Sequence, residues 1–212
     1  ELNVGATFRA RSVISADYSV QNVTIDGKID ALDQYDGLVI ARPTQQMSDE
    51  DLYVIDQFVM RGGRLMCFVD ALEIREDSLR KYKQTHTVRY ETGLNELLFD
   101  YGINIKDNYV LDEKCGQKPL PLERKSRIPW FYHILATPTD HPVSKNLEPV
   151  SLKYVSELKL RKRQSGDSFV VTPILTTSTN ATVTGSSPLV AYAIALNFLN
   201  PDNLRERPKL AV

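Results

Sequence analysis

Cysteine is scarce in this 212-residue chain: Cys67 and Cys115 are the only two, which excludes a secreted scaffold stapled by disulfides. No apolar run reaches the ~18 residues that a bilayer-spanning helix needs, and no signal-peptide core is present. Neither sign of charge is in excess. Lys and Arg number 26 against 27 Asp and Glu, so a formal charge of -1 offers no field for nucleic acid, and nucleic-acid binding is disfavoured. The three histidines, His86, His133 and His141, share no metal-ligand spacing with Cys or acids, so neither a metal nor a cofactor is expected. A small-residue nucleophile elbow, with Ser or Cys between two glycines, is missing as well. The one Gly-Gly pair, Arg61-Gly62-Gly63-Arg64, ends a helix instead of opening one, which turns the wrong dipole end toward a phosphate.

What is present is clearest between Tyr35 and Asp70. Gly37-Leu38-Val39-Ile40-Ala41 has no polar residue, the pattern of a parallel strand covered on both faces. Ser48 followed by Asp49, Glu50 and Asp51 supplies an N-cap and acids at the positive end of a helix, and Leu52, Ile55, Phe58 and Val59 repeat at helical spacing. Gly62 or Gly63 stops that helix, and Arg64 to Asp70 returns as a second buried strand. The order is a βαβ unit. Ligands of open α/β sheets sit beyond the carboxyl ends of the strands, which directs attention to Arg42, Pro43 and Thr44 and to Asp70 and Ala71.

Around this unit, Ala6 to Ile14 and Tyr18 to Ile25 read as extended segments, with Asp26-Gly27 as a turn. Glu73 to Arg89 reads as a charged helix or loop over a sheet edge, and Leu94, Leu97, Leu98 and Tyr101 give a helix that Gly102 stops. Ile103 to Ile105 and Asn108 to Asp112 follow as strands, Gly116 to Pro129 as an exposed connection, and Trp130 to Leu135 as an aromatic strand. Leu152 to Arg161, Phe169 to Thr177 and Leu189 to Ala195 are strand-like, and the Ser/Thr-rich stretch Thr176 to Ser187 reads as a flexible surface loop. Two basic clusters, Arg124 to Arg127 and Lys159 to Arg163, read as solvated loop or strand edge.

The binding candidates are Arg42, Thr44 and Asp70. A carboxylate at the end of a buried strand is costly unless it is paired or functional, and Arg42 is its expected partner; the simpler role for Asp70 is an N-cap. Cys67 lies inside a strand, so its thiol belongs to the core instead of a cleft, and no catalytic residue is assigned. Two other readings stand beside this one: a hydrolase or amidotransferase-like enzyme using Asp70, His133 or His141, and a carbohydrate-binding sensor stacking sugars on Trp130, Phe131 and Tyr132, whose simpler role is core packing.

The run from Tyr35 to Thr44, Ser48 to Asp51, Ile55 to Arg64 and Asp70, then Leu94 to Ile103 leading to Val110-Leu111-Asp112, resembles the GldG-type gliding-motility proteins. His141-Pro142-Val143-Ser144-Lys145-Asn146-Leu147 and Pro173 to Ser178 extend the likeness, which covers about Tyr18 to Ser178. The resemblance implies an auxiliary component of an ABC transport system, a periplasmic-side region at the inner membrane whose membrane anchors lie outside this sequence. It implies permease and ATPase subunits as partners, with an exported protein or a glycan as possible ligand. The fold it implies is α/β, one domain over residues 1–212: a three-layer sandwich with a mainly parallel sheet, glutamine-amidotransferase-like or ThuA-like, with additional C-terminal β-strands and without that superfamily's catalytic cysteine.

Overall fold

The computed structural model describes residues 10–119, 126–161 and 169–197. Parts of both basic clusters and the tail after Asn197 lie outside the described residues. The chain forms two compact units, one of residues 1–69 with 92–94 and one of residues 70–91 with 95–212.

In the first unit the expected βαβ order is realised. Strand β1 (Gly37–Ala41) pairs in parallel with β2 (Arg64–Phe68), Leu38 opposite Leu65 and Ile40 opposite Cys67. Helix α1 (Asp49–Met60) connects them. Ser48 caps it, its Oγ accepting the Asp51 amide at 3.1 Å, and Asp49, Glu50 and Asp51 fill the first turn. Val54, Ile55 and Phe58 are its buried stripe, joined in the unit's core by Leu32 and Ile40.

Gly62 ends the helix at φ +95°, and its amide donates to Val59 O at 2.9 Å. Gly63 is required for a different reason: a Cβ there would stand 2.5 Å from the Phe58 ring. One expectation fails. The second face of the strand pair is open, with Val39 48%, Met66 52% and Phe68 56% exposed.

Asp26 and Gly27 form the expected turn, both at positive φ, closed by the Lys28 amide donating to Ile25 O at 3.1 Å. Of the flanking segments expected to be extended, residues 6–9 lie outside the described residues, residues 10–14 are helical, and no strand occurs over residues 18–25.

The second unit is built from short strands and two-turn helices. In chain order these are β3 (Leu72–Glu73), α2 (Glu76–Tyr82), β4 (Gln84–His86), β5 (Val88–Arg89), α3 (Leu94–Asp100, whose first residue counts with the first unit), β6 (Ile103–Ile105), β7 (Val110–Asp112), β8 (Cys115–Pro119), β9 (Arg127–Pro138), β10 (Val150–Lys153), β11 (Leu158–Leu160), β12 (Leu175–Thr176), β13 (Ala181–Val183), β14 (Leu189–Ala191) and α4 (Tyr192–Asn197). Strand β9 is the spine, pairing with β8, β10 and β12; β6 pairs with β11, β7 with β13, β4 with β14 and β3 with β5. All of these pairings are antiparallel.

The three-layer sandwich with a mainly parallel sheet is therefore overturned. Among the described residues β1–β2 is the only parallel pair. Each further parallel strand would need a crossover of about a dozen residues, usually a helix, whereas α2 and α3 span 7 residues each and the strands after them return antiparallel.

Three smaller expectations change too. The supposed exposed connection contains β8, and the strand expected over Leu189 to Ala195 turns into α4 after Ala191. The supposed surface loop Thr176 to Ser187 is pinned: fully buried Asp112 accepts the Ser178 amide at 2.7 Å through Oδ2 and the Ser178 hydroxyl at 2.5 Å through Oδ1, next to β13.

Candidate functional site

The strand-end candidates fall in different units. Arg42 and Thr44, both exposed, belong to the first and Asp70, half-buried, to the second. Arg42 occupies the left-handed region at φ +49°, directly before Pro43, with its amide donating to Phe68 O at 2.7 Å. A bulky residue before proline is disfavoured there, so the end of β1 is held in a costly backbone conformation.

Burial pushes the Cys67 and Cys115 thiols up to about 11, so neither is a thiolate at neutral pH, and both are free. Burial, then the charges of Lys118 and Lys153, bring His133 down to about 4, and its Nε2 is buried without a hydrogen-bond partner. His141 spends Nδ1 on the Val143 amide at 3.3 Å, a turn-fixing contact. Among the described residues no group of three His, Cys, Asp or Glu side chains could hold a metal ion, and no helix is long and apolar enough to cross a membrane.

The densest chemistry lies in the second unit, around residues that sequence reading passed over. Strand β8 carries Lys118 inward, where Nζ lies 2.7 Å from Glu76 Oε2 at the start of α2 and donates to Tyr154 Oη at 2.8 Å. The same phenol accepts the Trp130 indole N–H at 3.2 Å, and the ammonium stands 4.9 Å from the centre of the Trp130 ring. Tyr154 follows β10 at φ +54°, a conformation that swings its ring against Tyr132, Tyr109 and His133 at centroid distances of 6.0, 5.8 and 5.0 Å. Tyr192 closes the cluster 4.7 Å from Trp130.

The two charges respond differently to this setting. Burial would raise Glu76, but the hydrogen bonds from Lys118 and Tyr154 and the Lys118 charge outweigh it and hold the carboxyl below its usual range. Lys118 is the more enclosed, its side chain 12% exposed against 41% for Glu76, and burial wins there over attraction to Glu76, so its ammonium is lowered. Burial drives the Tyr154 phenol far up, and the adjacent Glu76 charge adds to it. A neutral phenol, a carboxylate and an ammonium are thus bound to one another. The arrangement clamps α2, β8 and the end of β10 together.

Trp130, Phe131 and Tyr132 are at most 1% exposed, so their rings fill the core and offer no face for stacking a sugar. No motif announced the clamp. Glu76, Lys118 and Tyr154 are far apart in sequence, and isolated charges of this kind ordinarily belong to solvent.

In structure the chain is similar to a solved one described as "mmIFT52 N-terminal domain": TM-score 0.55, 14% identity, 82% of this chain and 67% of that one covered. That likeness bears on the fold alone, and it replaces the amidotransferase-like expectation. No curated protein matches the chain. The family model ABC_transp_aux, described as "ABC-type uncharacterized transport system", matches residues 2–212. With essentially its whole length matched, the chain belongs to the ABC-type uncharacterized transport system family, an auxiliary group of such systems.

Proposed function

We propose that this chain is a non-catalytic recognition domain of the GldG type, placed on the periplasmic face of the inner membrane and associated with the permease and ATPase subunits of its transport system. Family membership over residues 2–212 supports the transport setting. The carrying observation for recognition over catalysis is the state of the reactive groups. Both thiols are raised to about 11, His133 is lowered to about 4 with Nε2 unpartnered, and Lys118, Glu76 and Tyr154 are bound to one another. Recognition then falls to exposed loops, of which the strand-end segment with Arg42 and Thr44 is the first candidate, with Asp70 as the candidate in the second unit.

The test is the ATPase rate of the reconstituted transport system with and without the domain, repeated with Arg42→Ala and Thr44→Val. A rate that depends on the domain and falls back with either variant supports the reading. A rate indifferent to the domain, or a domain that hydrolyses ester or amide substrates alone, contradicts it. Protease accessibility in spheroplasts tests the location: digestion from outside is expected, and protection contradicts it.

A further inference from the structure

We infer that the open face of the β1–β2 pair docks the outer face of helix α1 from a second copy of this chain. The two strands carry side chains suited to burial on both faces, and parallel strands are ordinarily covered twice. Helix α1 covers one face, while Val39, Met66 and Phe68 on the other stay about half exposed. Pairing sets Val39 opposite Met66, Ala41 opposite Phe68 and Gly37 opposite Arg64. The result is an apolar strip about 13 Å long from Arg64 to Phe68. It ends in a cation, since Arg64 is exposed and makes no ion pair among the described residues.

The outer face of α1 is its complement. Asp49, Tyr53, Asp56 and Met60 recur at i, i+4, i+7 and i+11, one stripe about 16 Å long. Tyr53 and Met60 are exposed there, and Asp49 and Glu50, also exposed, make no ion pair among the described residues. Laid along β2 in the same direction, this helix sets Asp49 and Glu50 over Arg64, Tyr53 over Val39 and Met66, and Met60 over Phe68. In the reverse direction Met60 lies against Arg64 with only Asp56, one turn away, in its reach, while Asp49 and Glu50 run past Phe68 unmatched, so the charge count favours the first orientation.

The two faces are unlike each other and lie on opposite sides of the β1–β2 layer, so the contact is head-to-tail and builds rings or short stacks. Three half-exposed side chains fall well short of the ~800 Å² per partner of a stable interface, so the association is weak and concentration-dependent.

Sedimentation velocity of the full chain from about 10 to about 500 µM, at low salt, tests this, a range that covers weak association. The proteins are wild type, Arg64→Glu, the pair Asp49→Lys with Glu50→Lys, all three changes together, and Met66→Lys. Circular dichroism checks that each is folded. The average mass is expected to rise with concentration in wild type, to weaken at least tenfold in dissociation constant in either charge reversal and in Met66→Lys, and to return to within about threefold of wild type in the combination. A wild type that stays monomeric throughout overturns the inference, as it would if a helix of another transport component were the true occupant. Charge reversals without effect, or a combination no better than its parts, overturn it equally.

Discussion

Lys118 Nζ lies 2.7 Å from Glu76 Oε2, with the lysine the more deeply enclosed of the two. That asymmetry fixes which loss hurts more. Glu76→Ala leaves an ammonium facing Tyr154 and Trp130 without its counter-charge, whereas Lys118→Met leaves a carboxylate that water can reach. Breaking a buried pair costs about 3–5 kcal/mol, and the exposure of Glu76 reduces this to about 1–3 kcal/mol for Glu76→Ala. Urea unfolding should rank Glu76→Ala below Lys118→Met, with the double variant less destabilised than the sum. Equal single losses that add would show the clamp to be inert.

Stability should fall on acidification before ordinary carboxylates titrate. The native His133 binds its proton near pH 4, the unfolded one near 6.5, so the unfolded state holds more protons between these values. The contribution is fully present above about pH 6.5 and is lost as pH falls toward 4; partial exposure limits it to about 2 kcal/mol. Glu76, also lowered in the native state, adds a loss of the same sign at the acid end. Replacing His133 by Gln should flatten the slope of unfolding free energy between pH 6.5 and 4, measured by denaturant titration at each pH. An unchanged slope would remove the histidine from the account.

Gly63→Ala should destabilise the first unit by about 1–3 kcal/mol, the usual cost of overpacking, because its Cβ would meet the Phe58 ring at 2.5 Å. Phe58→Leu in the same chain should recover part of that loss, since the clash disappears with the ring. Thermal unfolding of the two single variants and the double variant reads this directly, and strict additivity would contradict the contact.

The thiols should react slowly. With Cys67 and Cys115 raised to about 11, a disulfide reagent at pH 7.5 should label the native chain at least tenfold more slowly than the urea-unfolded chain. Rapid labelling of either in the native state would mark an activated cysteine and favour the enzymatic reading over recognition.

These outcomes rest on features of very different legibility. The βαβ unit is written locally: Ser48 bonds three residues ahead, and Gly62 closes the turn that precedes it. The rest depends on pairings between distant segments, such as Leu160 with Ile103 and Ala181 with Asp112, that periodicity does not encode. Short strands of 2–5 residues alternate too briefly to declare direction, so they offer nothing against the parallel continuation that the family resemblance implies, where antiparallel partners return. The Ser/Thr-rich stretch misleads for a related reason, because Ser178 within it satisfies the buried Asp112 side chain, a demand invisible from Thr176 to Ser187 themselves. At the site, Trp130 and Tyr132 were legible as core aromatics, while the charged pair packed against them was not, since Lys and Glu are buried only when a partner arrives from elsewhere in the fold.

The central claim is membership of a transport assembly in a recognition role, and affinity purification of the intact protein from its native membrane tests it most directly. Quantitative mass spectrometry of the eluate should recover ATPase and permease subunits in fixed ratio to the bait. An eluate in which neither exceeds the level of a control membrane protein would contradict the account.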